Sequence, residues 1–345
     1  MCVLNFFPKG QKSMKIYRKA LIAIVSVAVT LSSALALSGC SGNGSAKKTG
    51  NISSASSATG DEVSAASGLS ELGIDPASAG VLPDVKHDAQ NEPGFQLELP
   101  KEGDAVAVLQ TSQGDIVLRL FPEQAPKTVT NFINLAKAGS YDKTSFHKVI
   151  NDVLIEGGHC GGDSAGPSGQ SSYGDTFEDE FCDSLYNLRG AVSMANSSKD
   201  GNGSRFFINV TTVDSFAKSG GWNALAGTWE SVKAKLTDYK DSNLLTAYIE
   251  ENGDRFLNTD VVPDDIKMLY EIKGGNPAFD GVYNAADRGN TVFGQVISGM
   301  EAVDKIAALK TDGKNVPETP VQIESVTITT FAPEMASTAA SGKKK

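Results

Sequence analysis

A series of short runs, in which apolar and polar residues alternate and β-branched residues are frequent, constrains this chain most strongly. Such runs predict β-strands, because successive side chains of a strand point to opposite faces. Ala105–Thr111 and Asp115–Phe121 are separated only by Ser112-Gln113-Gly114, which predicts a hairpin. Further runs of this type are Ser145–Ile150, Val153–Glu156, Ala191–Ala195, Arg205–Val210, Thr291–Val296 and Val321–Thr330.

Two amphipathic segments accompany these strands. Lys127–Ala138 begins after Pro126, carries apolar residues at helical spacing and ends at Gly139. Met300–Leu309 likewise places its apolar residues on one helical face. Many short strands with two helices predict a mainly β fold that closes into an antiparallel barrel.

A stretch of different character interrupts the strand pattern between Phe216 and Asn290. Helical periodicity there covers Trp222–Lys235, Asp241–Glu251 and Pro263–Ile272. We therefore interpret residues 217–289 as a helical insertion within one domain that spans residues 104–331.

The first 40 residues have the organisation of an export signal. A basic cluster precedes an apolar run from Ala20 to Leu37, which ends at Leu37-Ser38-Gly39-Cys40. This ending resembles the lipobox of bacterial lipoproteins, and the resemblance implies that Cys40 is lipidated. An uncleaved anchor is the alternative, because the run is just long enough to span a bilayer. Both interpretations place the domain outside the cytoplasm, anchored to the cell membrane.

The segments on either side of the predicted domain are poor in core-forming residues. Residues 41–100 are rich in Ser, Gly and Ala, which predicts a flexible tether that is dispensable for folding. Residues 332–345 are interpreted as a disordered tail. The formal net charge of −10 argues against nucleic acid as a partner, because phosphates require a basic surface.

Cys160 and Cys182 are the two cysteines that lie inside the predicted domain. They can pair in an oxidising compartment, or they can remain separate thiols. A zinc site at His159 and Cys160 is disfavoured, because these ligands are adjacent and no matching second pair follows. We therefore expect no metal.

Several motifs occur in a fixed order along the chain. They are Phe146-His147-Lys148-Val149-Ile150, Glu156-Gly157-Gly158, Phe177-Glu178-Asp179-Glu180, Ser193-Met194-Ala195-Asn196, Gly203-Ser204-Arg205-Phe206-Phe207-Ile208 and Thr291-Val292-Phe293-Gly294. Together they resemble the cyclophilin family of peptidyl-prolyl isomerases over residues 104–216 and 288–331. The resemblance implies a closed eight-stranded antiparallel barrel with two capping helices. It also implies proline-containing polypeptides as partners and a reaction without cofactor.

The resemblance also implies which residues form the active groove. It places the slot for the proline ring at Phe146, Met194 and Phe207, while Phe206 points into the core. Lys148 and Arg205 are the candidate catalytic donors. The remaining candidate substrate contacts are Ile150, Val153, Leu154, Glu156, Ala195, Asn196, Phe216 and Asn290.

Several of these positions depart from the family pattern. Lys148 replaces an arginine, and lysine keeps the charge but lacks the planar fork of donors. Glu156 and Arg205 each replace a glutamine, so they either form an ion pair or have changed independently. Val153 replaces a phenylalanine and Asn290 a histidine. The family's tryptophan falls at Ser215 or Phe216.

Two functions are compatible with this pattern. The first is a peptidyl-prolyl cis–trans isomerase that assists the folding of exported proteins outside the membrane. The second is a non-catalytic peptide-binding or chaperone module on the same fold, because a fold alone does not guarantee chemistry.

Overall fold

The computed structural model describes residues 85–161, 168–238, 256–285 and 288–337. Within them, nine strands form one sheet with the order β3-β9-β1-β2-β8-β6-β7-β5-β4. Every pairing is antiparallel, as predicted, and β1 and β2 form the predicted hairpin. The strands are β1 Ala105–Thr111, β2 Gly114–Leu120, β3 Ser145–Phe146, β4 Lys148–Ile150, β5 Leu154–Gly157, β6 Ala191–Met194, β7 Phe206–Asn209, β8 Val292–Ser298 and β9 Val321–Thr330.

The strand count and the closure of the barrel differ from the prediction of eight strands in a closed barrel. The predicted strand Ser145–Ile150 is divided at His147, because β3 pairs with β9 whereas β4 pairs with β5. These two short strands therefore lie at opposite ends of the strand order. The backbone N–H of His147 donates to the carbonyl of Glu156 at 3.0 Å. The described sheet is thus a nearly closed barrel of nine strands.

Helices cover the barrel and extend from it. Strand residues such as Leu109 and Ile116 fill the barrel core, and α1 adds Phe132 while α5 adds Ile306. Each such side chain contributes about 1.5–3 kcal/mol when it is fully buried. The helices are α1 Pro126–Lys137, α2 Val213–Lys218, α3 Gly221–Asp238, α4 Asp264–Lys273, α5 Met300–Ala307 and α6 Glu334–Ser337.

The predicted insertion contains helices where its periodicity indicates them. Helix α3 corresponds to Trp222–Lys235 and helix α4 to Pro263–Ile272. The predicted helix Asp241–Glu251 lies outside the described residues. Helix α4 contributes Tyr270 to a second apolar cluster, separate from the barrel core, which also contains Phe216.

The N-terminal boundary of the domain lies earlier than Asp104, where we placed it. Phe95 packs against Phe121 with ring centroids 5.4 Å apart. Gln96 is fully buried and donates from Nε2 to the carbonyl of Tyr186 and to Oε1 of Gln295, both at 3.0 Å. Residues 85–100 are therefore part of the folded domain and not of the tether. Their composition did not indicate this, because the segment is held by contacts with residues that are distant in the sequence.

The C-terminal boundary also moves. Phe331 is buried against Val106 and Val117, and Met335 of α6 packs on the same cluster. Residues 332–337 thus belong to the fold, and residues 338–345 of the predicted tail lie outside the described residues.

The structure describes the two cysteines of the domain but not the predicted export signal. Cys160 and Cys182 are both buried and both free thiols. Burial raises the pKa of Cys160 to about 11. The signal segment and Cys40 lie outside the described residues, and among the helices that are described none is long and apolar enough to cross a bilayer.

Candidate active groove

Strand register places three candidate residues in one row on the outer face of the barrel. Lys148 on β4 is the cross-strand partner of Glu156 on β5, and Glu156 is the partner of Phe207 on β7. Side chains alternate along a strand, so Arg205, two residues before Phe207, lies on the same face. Their immediate neighbours point into the barrel core: Val149, Ile155 and Phe206.

Glu156 is the centre of a buried charge cluster. Its Oε1 accepts from Nη1 of Arg205 at 2.8 Å and lies 3.2 Å from Nε2 of His147. The Nζ of Lys148 lies 3.8 Å from its Oε2. Burial raises the pKa of this carboxyl, but the hydrogen bond with His147 and the charges of Arg205 and Lys148 outweigh burial and lower the pKa to about 2. The ion pair that the two substitutions suggested is therefore present.

An apolar cluster lies beside these charges. Phe207, Leu154 and Ala195 are buried in it, and the partly buried residues at its edge are Ile150, Val153 and Phe279. The Phe279 ring lies 5.2 Å from the Phe207 ring, measured between centroids. The groove therefore combines fixed donors with an apolar surface.

Two residues assigned to the ring slot lie elsewhere. Phe146 and Met194 are each 1% exposed and belong to the barrel core. The Phe146 ring packs edge-on against Phe206 inside the barrel, at 6.4 Å. The slot predicted at Phe146, Met194 and Phe207 is thus corrected to Phe207 with the cluster around it, because strand alternation directs the other two side chains inward.

The aromatic residue at the groove edge is Phe279 and not Phe216. Phe216 is buried in the second apolar cluster, with its ring 5.9 Å from Trp222 and 6.3 Å from Tyr270. Sequence reasoning missed Phe279 because it assigned all of residues 217–289 to the insertion. A short turn at Pro277–Phe279, which precedes β8, was the available signal.

The two predicted asparagines form a polar network behind the groove. Asn196 donates from Nδ2 to Oδ1 of Asp179 at 2.9 Å and to the carbonyl of Gly289 at 3.3 Å. Asn290 donates from Nδ2 to the carbonyl of Met194 at 2.8 Å. Burial raises the pKa of Asp179. These contacts connect the segment that directly precedes β8 to the end of β6 and the residues after it.

A model of the cyclophilin type peptidyl-prolyl cis-trans isomerase family matches residues 106–223 and 272–328. The chain belongs to this family. The second matched segment begins before Phe279, so this residue lies in the part of the cyclophilin that matches the family, and residues 224–271 lie between the two matched segments.

Named relatives support the same family. A Staphylococcus aureus protein named as a peptidyl-prolyl cis-trans isomerase is 35% identical over 238 residues, which are 69% of this cyclophilin and 98% of that protein. A Streptococcus pyogenes protein named as a bifunctional phosphatase/peptidyl-prolyl cis-trans isomerase is 36% identical over 239 residues. The match covers 68% of this chain but only 40% of the streptococcal protein. The chain is therefore a peptidyl-prolyl cis–trans isomerase by homology.

A solved structure also resembles this cyclophilin. The cyclophilin type isomerase of Cryptosporidium parvum, crystallised in the presence of the dipeptide Ala-Pro, is 24% identical. The alignment covers 65% of this chain and 98% of that chain, with a TM-score of 0.42.

Proposed function

We propose that this cyclophilin isomerises X-Pro bonds in exported polypeptides outside the membrane, with Arg205 and Lys148 as its electrostatic donors. The observation that carries the proposal is the row Lys148–Glu156–Phe207, which sets the charge cluster directly beside the apolar cluster. If the ring of a substrate proline packs on Phe207, the carbonyl and the amide nitrogen of that proline would lie next to Arg205 and Lys148.

This arrangement suits the reaction. Rotation about an X-Pro bond is opposed by amide resonance, with a barrier of about 18–20 kcal/mol. In the twisted transition state the prolyl nitrogen regains a lone pair. Donors that are already fixed in place stabilise that state more than the planar ground state, without nucleophile, metal or cofactor.

Glu156 determines where the donors lie. Its carboxylate contacts Arg205 and Lys148 from different oxygens, so both cations are positioned at one edge of the groove. A guanidinium has five N–H donors, and the bond from Nη1 to Glu156 uses one of them. Arg205, directly before β7, would thereby supply the planar donor group that Lys148 on β4 lacks.

The site of action is supported by the N-terminal sequence. The apolar run from Ala20 to Leu37 with Cys40 after it resembles a lipoprotein signal. Metabolic labelling with a fatty-acid analogue tests this part of the proposal: the wild-type chain should carry the label in the membrane fraction. Cys40→Ser should abolish the label, and a label that persists in this variant would contradict lipidation at Cys40.

A protease-coupled assay on a short proline-containing peptide tests the activity itself. The purified chain without its first 40 residues should accelerate isomerisation, and Lys148→Ala should lower kcat/KM by about tenfold. Lys310→Ala is the matched control, because Lys310 forms an exposed ion pair with Glu318. Peptide binding without acceleration would instead favour the alternative of a non-catalytic binding module.

A further inference from the structure

Asp280 directly follows the groove residue Phe279 and is almost completely buried, at 2% exposure. Its Oδ2 accepts from the hydroxyl of Tyr270 on helix α4 at 2.5 Å. Its Oδ1 accepts from the backbone N–H and the Nδ2 of Asn187, at 2.8 and 3.0 Å. A buried carboxyl with three donors is fixed tightly, because loss of any donor leaves an acceptor unsatisfied.

Asn187 extends this network to the strands that carry the groove. Its Oδ1 accepts from Oγ of Ser193 at 2.8 Å and from Nδ2 of Asn209 at 3.2 Å. Ser193 is the cross-strand partner of Phe207. Asn209 lies two residues beyond Phe207 on β7. The hydrogen bonds therefore run from helix α4 through Asp280 to both sides of Phe207.

Phe279 is held by contacts of its own, in addition to those of its neighbour Asp280. The backbone N–H of Asn290 donates to the carbonyl of Phe279 at 2.9 Å. The Phe279 ring rests on Phe207, and the side chain is only partly buried. A shift of Asp280 would thus move an aromatic ring at the edge of the apolar cluster.

We infer that Asp280 is a positioning residue through which Tyr270 of helix α4 sets the place of Phe279, and hence the affinity of the groove for a peptide. The inference rests on the proposed function, since it assigns the peptide to the cluster around Phe207. It gives helix α4, whose N-terminal part lies in the inserted segment, a role in substrate binding and not in the chemical step.

A double-mutant cycle tests the inference. Tyr270→Phe removes the donor to Asp280 and should raise KM about fivefold while kcat stays within about twofold. In a Phe279→Ala background, Tyr270→Phe should change KM little further, because the residue through which it acts is gone. A purely structural role would give the same fold-change in both backgrounds, and that result would overturn the inference.

Tyr283→Phe is the matched control. Tyr283 belongs to the same apolar cluster, and its hydroxyl contacts that of Tyr186 at 3.3 Å. This variant also loses a buried hydroxyl, but KM should remain at the wild-type value. An equal rise in KM for Tyr283→Phe and Tyr270→Phe would show that general loosening of the cluster is responsible.

A third readout separates this inference from the proposed function. If the wild-type chain neither turns over nor binds a proline peptide, the proposed function fails. Amide hydrogen exchange at Asn290 then decides the inference, because that N–H is bonded to Phe279. Tyr270→Phe should accelerate the exchange by about tenfold, and unchanged exchange would overturn the positioning role of Asp280.

Discussion

Arg205, directly before β7, and Glu156 on β5 form a 2.8 Å ion pair on the outer face of the barrel, beside Phe207, which is the cross-strand partner of Glu156. Both residues stand where the family resemblance implies glutamine. A neutral amide pair has therefore become a charged pair that also includes Lys148. The charged groups of this groove therefore depend on each other.

Removing one partner of the pair should be worse than removing both. Glu156→Gln leaves Arg205 and Lys148 without their carboxylate, and loss of one member of a buried pair costs about 3–5 kcal/mol. Glu156→Gln combined with Arg205→Gln restores two neutral amides and should recover most of that loss. Urea denaturation measures both free energies of unfolding. A double variant as unstable as the single one would contradict the pairing.

Acid should weaken the wild-type fold through Glu156. The pKa of this group is about 2 in the folded state and near 4.5 when unpaired. Its stabilisation is therefore complete above about pH 4.5 and is lost as the pH falls toward about 2. The loss should be on the order of 3 kcal/mol. Denaturation across this pH window should show a flatter profile for the double glutamine variant, and parallel profiles would argue against this contribution.

Asp280 should make the free energy of unfolding fall with rising pH, which is opposite to the effect of Glu156 at lower pH. Burial raises its pKa to about 7, against the hydrogen bonds from Tyr270 and Asn187. The folded state therefore retains a proton that the unfolded chain releases near 3.8, so stability should fall as the pH rises from about 4 to about 7. Asp280→Asn should remove this slope in denaturation experiments. If stability falls equally with pH in Asp280→Asn and in the wild type, groups other than Asp280 are responsible.

The N-terminal segment should be needed for stability. A chain that begins at Gly103 lacks Phe95 and Gln96, so it loses one aromatic contact and the hydrogen bonds to Tyr186 and Gln295. It should be less stable than a chain that begins at Val85 by about 3 kcal/mol or more. Equal melting temperatures for the two chains would show that the segment is dispensable.

The sequence predicted much of this architecture because strand alternation and helix periodicity are local properties. Strand β9 has the predicted bounds, and Phe206 and Phe207 point to opposite sides as alternation requires. The candidate pair Glu156 and Arg205 could also be identified, because two neutral residues had been replaced by opposite charges.

The remaining features depend on contacts between distant residues. The division of one strand at His147 follows from a change of pairing partner, which periodicity does not reveal. Phe279 lies within residues 217–289, whose helical periodicity led us to interpret the whole segment as an insertion. Gln96 stands between Phe95 and Leu97, and only the folded structure shows that its side chain donates to the carbonyl of Tyr186 and to Oε1 of Gln295, both at 3.0 Å.

We propose that Arg205 supplies the planar donor group of the family's arginine, which Lys148 replaces only in charge. The most direct test is kcat/KM, in the protease-coupled assay, of Arg205→Gln and of Arg205→Gln combined with Lys148→Arg. The single variant should lose about tenfold in kcat/KM. The double variant should regain at least the wild-type value, because the guanidinium is then supplied from strand β4, on the other side of strand β5. Wild-type kcat/KM in the folded Arg205→Gln variant would contradict the claim.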